Sequence, residues 1–425
     1  MIRSERFYSE TPLSGNPRSF VAGRERSEAR RPFLRQNTIP GRSCGFEHLA
    51  CFQPFLDTSA AICYDCGMRS GLLSKANCLV VKLGTGVLTD SSKQPDFAQM
   101  EQLAGQIAEQ RRAGREIVLV TSGAVGAGMG ALGYKQRPRQ LAQLQACAAV
   151  GQSRLMTAYE KFFAAHKLHT AQVLLTHEDL QDHERHLNAR NTLVTLLKHG
   201  VVPIINENDA VSSTELKFGD NDRLSALVAA LLPADLLVIL TTVDGVIENF
   251  GKPDARTIPV IEKIDAQLEG LAGGTDSETA VGGMASKIQA AKIVVRSGIP
   301  LVIASGRRKT ALARIMAGAD EGTIFLPQPG GLRGRKRWIA FFHHVKGTLY
   351  VDDGARTALV EKGRSLLPPG VTRSEGEFAA GDVLRICGRD GLEFARGIAR
   401  FDSATIRDRK APKEELVHRD DLVIL

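Results

Sequence analysis

The sequence predicts an α/β protein: a mostly parallel sheet covered by helices on both faces, followed by a smaller, mainly β domain. Three observations predict it. Short β-branched runs recur from Asn77 to about Phe325 and are nearly all apolar, as strands buried on both faces must be. Helical periodicities separate them, which is the alternation of a parallel sheet. Beyond residue 326 the pattern changes to short strands bounded by turn residues.

In chain order, residues 1–74 are expected to be an extension, either disordered or the product of a start codon assigned too early. The first 67 residues hold nine Arg, no Lys and no clear periodicity. Four of the seven cysteines lie there, Cys44, Cys51, Cys63 and Cys66. Their number would satisfy a zinc ion, but the first pair is spaced too widely for a zinc knuckle. Seven acidic residues argue against an organelle transit peptide, and Met68 offers a later start.

The main domain is expected over 75–326. Its strand candidates are Cys78–Leu83, Glu116–Thr121, Ala171–Leu175, Val201–Ile205, Leu236–Leu240 and Leu301–Ala304. The helices between them are Asp96–Ala113, Pro138–His166, Asp222–Leu232 and Met284–Ser297. Residues 327–337, rich in Pro, Gly and Arg, are expected to be a linker. The second domain, 338–425, carries strand candidates at Gly347–Val351, Asp382–Ile386, Ala395–Ala399 and Leu422–Leu425, with one helix at Gly354–Gly363.

Composition bounds the function. The chain has 425 residues, 43% hydrophobic and 24% charged, an ordinary globular balance. Aromatics are only 5%, with Trp338 the single tryptophan, which argues against a stacking groove for single-stranded nucleic acid. The net charge of +8 suits an anionic partner but equally a solvated surface. The most apolar stretch, Leu224 to Val243, is interrupted by Pro233 and Asp235, so no membrane span is expected. Scattered, odd-numbered cysteines point to a reducing, cytoplasmic setting.

The motifs exclude several chemistries. There is no Walker P-loop, nucleophile elbow or H-E-x-x-H zinc motif. Gly128-Met-Gly-Ala-Leu-Gly133 matches a dinucleotide fingerprint but starts too far from its strand and lacks a ribose-binding acid. His183-Glu-Arg-His186 has the wrong spacing for two ligands on one helical face and reads as a solvated helix.

The positive signals lie at the carboxyl ends of strands, where open parallel sheets bind ligands. Lys82-Leu-Gly-Thr-Gly86 combines an ammonium with small residues that let backbone N–H groups approach a phosphate, though a lysine snorkelling from a strand end looks the same. Thr121-Ser-Gly-Ala-Val-Gly-Ala-Gly128 opens a helix, either as an anion site or through close helix packing. Asn206-Glu-Asn-Asp209 and Phe218-Gly-Asp-Asn-Asp-Arg223 concentrate carboxylates and amides. A helix N-cap and an Asx turn explain one or two of them; a site for an ammonium-bearing substrate and a metal–nucleotide explains more. Gly282-Gly-Met-Ala-Ser-Lys287 places a glycine pair, a helix start and a lysine together, which suits a triphosphate tail or an ordinary helix start. Together these sites suggest phosphoryl transfer by positioning and electrostatics.

From about Leu79 to the C-terminus the chain resembles the glutamate 5-kinases, amino acid kinases with a C-terminal PUA domain. The resemblance rests on Val80-Val-Lys-Leu-Gly-Thr, Val120-Thr-Ser-Gly-Ala, Val150-Gly-Gln-Ser-Arg154, Leu187-Asn-Ala-Arg190, Pro203-Ile-Ile-Asn-Glu-Asn-Asp209, Gly219-Asp-Asn-Asp-Arg-Leu-Ser-Ala226, Gly282-Gly-Met-Ala-Ser-Lys287 and Arg335-Lys-Arg-Trp-Ile339. Val351-Asp-Asp-Gly-Ala355, Ser365-Leu-Leu-Pro368 and His418-Arg-Asp-Asp421 continue it in the second domain. It implies a three-layer sheet of the amino acid kinase type and a PUA-like domain. It also implies transfer of the ATP γ-phosphoryl to the γ-carboxylate of L-glutamate, the first step of proline biosynthesis.

By resemblance, Lys82 and Lys287 neutralise the transferring phosphoryl and Asp222 holds both lysines. Ser122, Asp209 and Asn221 bind glutamate. Lys82, Gly84, Thr241, Thr242 and the run Gly282, Gly283, Met284, Ala285, Ser286 and Lys287 hold ATP, with Mg²⁺ carried largely by its phosphates. Proline as feedback inhibitor and a homo-oligomeric state are implied in the same way. Thr242, Val281 and Val246-Ile247 depart from the usual family residues around the nucleotide. Two other readings stand beside this one: a related kinase acting on aspartate, N-acetylglutamate or uridylate, and an RNA-binding or regulatory protein using the PUA-like domain and the basic cluster Arg333, Arg335, Lys336 and Arg337.

Overall fold

The computed structural model describes residues 69–90, 94–212, 221–273, 283–332, 334–343, 345–408 and 414–425. The four N-terminal cysteines, Met68, Gly282 and Arg333 lie outside these residues.

The first domain is built on an eight-stranded sheet. Its long strands are β1 (Cys78–Leu83), β2 (Glu116–Val120), β3 (Thr170–Leu175), β4 (Val202–Glu207) and β5 (Leu236–Thr241). A two-stranded hairpin, β6 (Ile247–Glu248) and β7 (Arg256–Thr257), leads to β8 (Val260–Ile261), β9 (Leu301–Ser305) and β10 (Thr323–Phe325). The sheet order is β3-β4-β2-β1-β5-β9-β10-β8. Neighbours are parallel except β9 and β10. The long strands follow the apolar runs closely, whereas β6, β7, β8 and β10 are too short to show a period of two.

Alternation along the strands divides the core. Leu79, Val81 and Leu83 of β1 pack with Leu236, Val238 and Leu240 of β5 under the helices Phe97–Arg112 and Leu141–Ala164. Val80, Val118, Val120, Leu237 and Ile239 face the other way, under the helices Asn221–Leu231 and Met284–Arg296. The result is a three-layer fold. The Asn221–Leu231 helix is buried at every position but Arg223, as expected of a helix that is apolar all round.

Two boundaries differ from expectation. Residues 69–74 belong to the packed body: Leu73 is fully buried, and the buried Arg69 donates to the carbonyls of Pro259, Glu321 and Gly322. The expected linker contains the start of a helix, Gly334–Phe341. Its basic composition hid an inward side: Ile339 and Ala340 pack with Val383 and Val423 of the second domain.

The second domain is a five-stranded sheet of β11 (Gly347–Val351), β12 (Val371–Glu375), β13 (Val383–Cys387), β14 (Glu393–Ile398) and β15 (Leu422–Ile424), in the order β12-β11-β13-β14-β15. Only β11 and β13 pair in parallel. Leu349, Val351, Leu384, Ile386 and Val417 lie in its separate core.

Candidate active site

The period of the strand delivers the first functional side chain. Lys82 is two residues beyond Val80, so it takes the face covered by the Asn221–Leu231 and Met284–Arg296 helices. Both helices begin at this end of the sheet. Asp222 lies in the first turn of one and Lys287 in the first turn of the other.

The three side chains meet. Asp222 is 0% exposed, and its Oδ1 is 2.5 Å from the Lys82 ammonium while its Oδ2 is 3.0 Å from that of Lys287. Ser286 Oγ donates to the same Oδ2 at 2.9 Å. Burial pushes the Asp222 carboxyl up, but the two ammonium groups outweigh it and hold the carboxyl below its ordinary value. Two cations share one anion here, between two helix N-termini that add positive potential. The arrangement is therefore suited to a multiply charged anion.

Small residues keep the floor low. Gly84 donates its N–H to Leu240 O at 3.0 Å, and a side-chain carbon there would come 3.6 Å from Lys82 Nζ. Thr241 ends β5 beside it and is buried, whereas Thr242 is exposed and its methyl lies against Gly86. Gly283 precedes the second helix in extended conformation without a capping side chain, followed by Met284 and Ala285.

Beside the lysines lies a buried cluster of amides. Asn221 Nδ2 is 2.6 Å from Thr121 O, 2.9 Å from Ser122 Oγ and 2.9 Å from Asn206 Oδ1. Asn206 Nδ2 donates to Gln152 Oε1 at 2.9 Å, and Gln152 Nε2 donates to Gln172 Oε1 at 3.0 Å. The Tyr159 hydroxyl shares a 2.7 Å bond with Thr121 Oγ1. This chain fixes which way Asn221 points. Its carbonyl Oδ1 is buried without a hydrogen-bond partner among the described residues. Beyond Ser122, Gly123 adopts φ +97°, a left-handed conformation that glycine tolerates best. The helix Ala124–Ala131 starts there. Gly128 lies inside this helix against the Cys147 backbone, so the apparent dinucleotide fingerprint serves helix packing.

Asp209 follows β4 by two residues and makes no hydrogen bond to Ser122 or Asn221. Burial pushes its carboxyl up to about 6, with the Arg137 guanidinium pulling the other way. The structure thus brings together Lys82, Asp222, Lys287, Gly84 and Thr241, with Ser122 and Asn221 adjoining, and does not bond Asp209 to them. Gln172 and Tyr159 carry no sequence signal for their roles, and Gln152 stood in the Val150–Arg154 motif without an assigned role, because their partners are far away in the chain. Ser286 stood in the glycine–lysine motif as a nucleotide residue, and the structure adds its bond to Asp222.

Comparison with known proteins gives the same frame. Residues 77–305 match the amino acid kinase family and residues 347–419 match the PUA domain. A glutamate 5-kinase of Geobacter sulfurreducens is 47% identical over 373 residues, covering 84% of this chain and 100% of that protein. Those of Pelobacter propionicus and Moorella thermoacetica are 45% and 46% identical, over 84% and 83% of this chain and 100% and 97% of their own lengths. The chain belongs to the amino acid kinase family, in its glutamate 5-kinase branch, with a PUA domain at its C-terminal end.

Proposed function

We propose that this protein transfers the γ-phosphoryl group of ATP to the γ-carboxylate of L-glutamate, giving γ-glutamyl phosphate and ADP, the opening step of proline biosynthesis. The convergence of Lys82 and Lys287 on the buried Asp222, beside an amide cluster, carries the reading.

A γ-carboxylate oxygen forms the new bond to phosphorus while the bond to the ADP oxygen breaks. Glutamate is already ionised near neutral pH, so its attacking oxygen has no proton to lose and no general base is required. Negative charge spreads over the equatorial phosphoryl oxygens in the transition state. Lys82 and Lys287 neutralise it from fixed positions, and Asp222 holds them without solvent reorganisation. Gly84, Thr241, Thr242 and the residues Gly282 to Lys287 accommodate the nucleotide. Ser122 and Asn221 position the acceptor, and Asp209 takes its ammonium group.

Among the described residues no group of three His, Cys, Asp or Glu side chains converges on a metal site. Mg²⁺ would enter with ATP, held largely by phosphate oxygens, as this ion commonly is. Bound in that way, it would lower the charge of the triphosphate between the two lysines. The cytoplasm is the proposed location, and a homo-oligomer inhibited by proline is the proposed regulated form. Among the described residues no helix is long and apolar enough to cross a membrane.

The test is direct. Incubating the protein with ATP, Mg²⁺, hydroxylamine and one amino acid at a time should trap γ-glutamyl hydroxamate from L-glutamate. A hydroxamate from aspartate or N-acetylglutamate, with none from glutamate, would reject this acceptor.

A further inference from the structure

A cavity of about 1500 Å³ opens at the amino ends of the central strands, opposite the end that carries Lys82. Its wall is formed by residues that precede β1, β5 and β9, among them Lys75, Asp235 and Pro300. One face of the His183–Lys198 helix adds His183, His186, Leu187 and Arg190, spaced as successive turns. Trp338 and Phe342 close it from the segment between the domains, and Ile398 from the second domain. The catalytic lysines are not among its lining residues.

We propose that this cavity is a second binding site, for a small organic anion with a flat apolar body, such as an aromatic or heterocyclic acid. The charge balance selects the sign. Lys75, Arg190, Arg335 and Arg337 line the cavity against the single acid Asp235. The Asp235 carboxylate already accepts the backbone N–H groups of Asn77 and Cys78 at 2.9 Å. Arg335 is paired with Asp421 at 2.8 Å, and Arg337 is committed to backbone carbonyls. Lys75 and Arg190 have no ion-pair partner among the described residues. They supply the charge for the ligand. Trp338 and the exposed Leu187 supply the apolar surface, and the buried Trp338 Nε1–H has no acceptor among the described residues.

The site is mechanically continuous with the catalytic one. The Asn221–Leu231 and Met284–Arg296 helices carry Asp222 and Lys287 at their starts, and Ala230, Leu231, Ser297 and Gly298 at their ends line the cavity. Arg337 donates to Ala230 O at 2.6 Å and to Ser297 O at 3.0 Å, clasping both helix ends with one guanidinium. At 1.5 Å per residue these helices span roughly 15–20 Å. A ligand seated against Arg337 and Trp338 therefore bears on both helices, and its binding changes the rate of phosphoryl transfer.

Trp338, the only tryptophan of the chain, is a built-in reporter. The full chain, with ADP and glutamate filling the catalytic site, is titrated with 8-anilinonaphthalene-1-sulfonate while probe emission sensitised by Trp338 is followed. A saturable signal is expected in the wild type, weakened at least tenfold by Arg190→Glu and by Lys75→Glu. The uncharged N-phenyl-1-naphthylamine should bind at least tenfold more weakly than the sulfonate. In the absence of ADP, saturating sulfonate should change hydroxamate formation at least twofold in the wild type and not in Arg190→Glu. The absence of a saturable Trp338-sensitised signal, or equal affinity in the wild type and both charge-reversed variants, would overturn the site. An unchanged rate at full occupancy would overturn its coupling to catalysis.

Discussion

At the scale of single residues the site is an exercise in charge accounting. Asp222 is buried and serves both Lys82 and Lys287, and breaking such a cluster costs more than losing a surface pair. Lys287→Ala removes one cation but leaves Asp222 with Lys82 and Ser286. Turnover is expected to fall by at least a thousandfold with the circular dichroism spectrum unchanged, since a fixed positive charge at the transferring phosphoryl is lost. Asp209 behaves differently. Its carboxyl is pushed up to about 6 by burial, so between its unfolded value and pH 6 the folded chain retains a proton that the unfolded chain releases. Stability is thus lost as pH rises through that window, on the order of 3 kcal/mol when complete. Asp209→Asn removes this penalty. The variant should melt at a higher temperature than the wild type at pH 8, with the difference shrinking towards pH 4. Its KM for glutamate should rise at least tenfold, because the neutral amide cannot pair with an ammonium group. In the wild type the same KM should climb as pH falls through 6.

At the scale of elements, two helices that touch at their backbones shape the side of the site proposed to hold the acceptor. A methyl group at Gly151 would run into the Ala124 carbonyl, and one at Gly128 into that of Cys147. Backbone atoms cannot rotate away as a side chain does, so Gly151→Ala must separate the helices Ala124–Ala131 and Leu141–Ala164. The expected cost is about 1–3 kcal/mol by overpacking, read as a drop in the urea midpoint. Glutamate affinity should fall with it, because Ser122 and Gly123 lead directly into the displaced helix. Much at this scale was legible in the sequence. The long strands and the helices bearing Asp222 and Lys287 follow from apolar runs and periodicity, since each buries a whole face. The Asn221–Asn206–Gln152–Gln172 chain was not legible, because each buried amide finds its partner across the sheet and leaves no local pattern. Nor was the helix Gly334–Phe341, where basic residues mask a face that packs inward. His183 and His186 were legible as helical but not as packed, and their rings stand edge-on to Trp338 and Phe342.

At the scale of the whole molecule, the described domains are joined by fixed bonds and not by a loose tether. Gln328 N–H and Leu332 N–H donate to Val295 O and Arg296 O at 2.9 and 2.8 Å. Gly331 lies against the Gly298 backbone, where a side chain would not fit. Arg296 reaches across to Ile424 O at 3.0 Å, and Arg396 of β14 reaches back to Ala340 O at 2.8 Å. Arg337 is central, buried with its guanidinium on Leu332 O, Ala230 O and Ser297 O. Two domains with separate cores ordinarily melt in separate steps. Here two of the carbonyls that Arg337 satisfies, Ala230 O and Ser297 O, lie at helix ends of the first domain, while its own helix packs on the second. Unfolding either domain therefore strands buried polar groups of the other, at roughly 1–3 kcal/mol for each one left unpaired. Differential scanning calorimetry of the wild type should show one transition. Arg337→Ala should split it in two, the transition of the first domain moving down by several degrees while that of the second stays near its original position. A single transition in the variant, merely shifted, would mean that the apolar contacts of Ile339 and Ala340 with Val383 and Val423 couple the domains without the guanidinium.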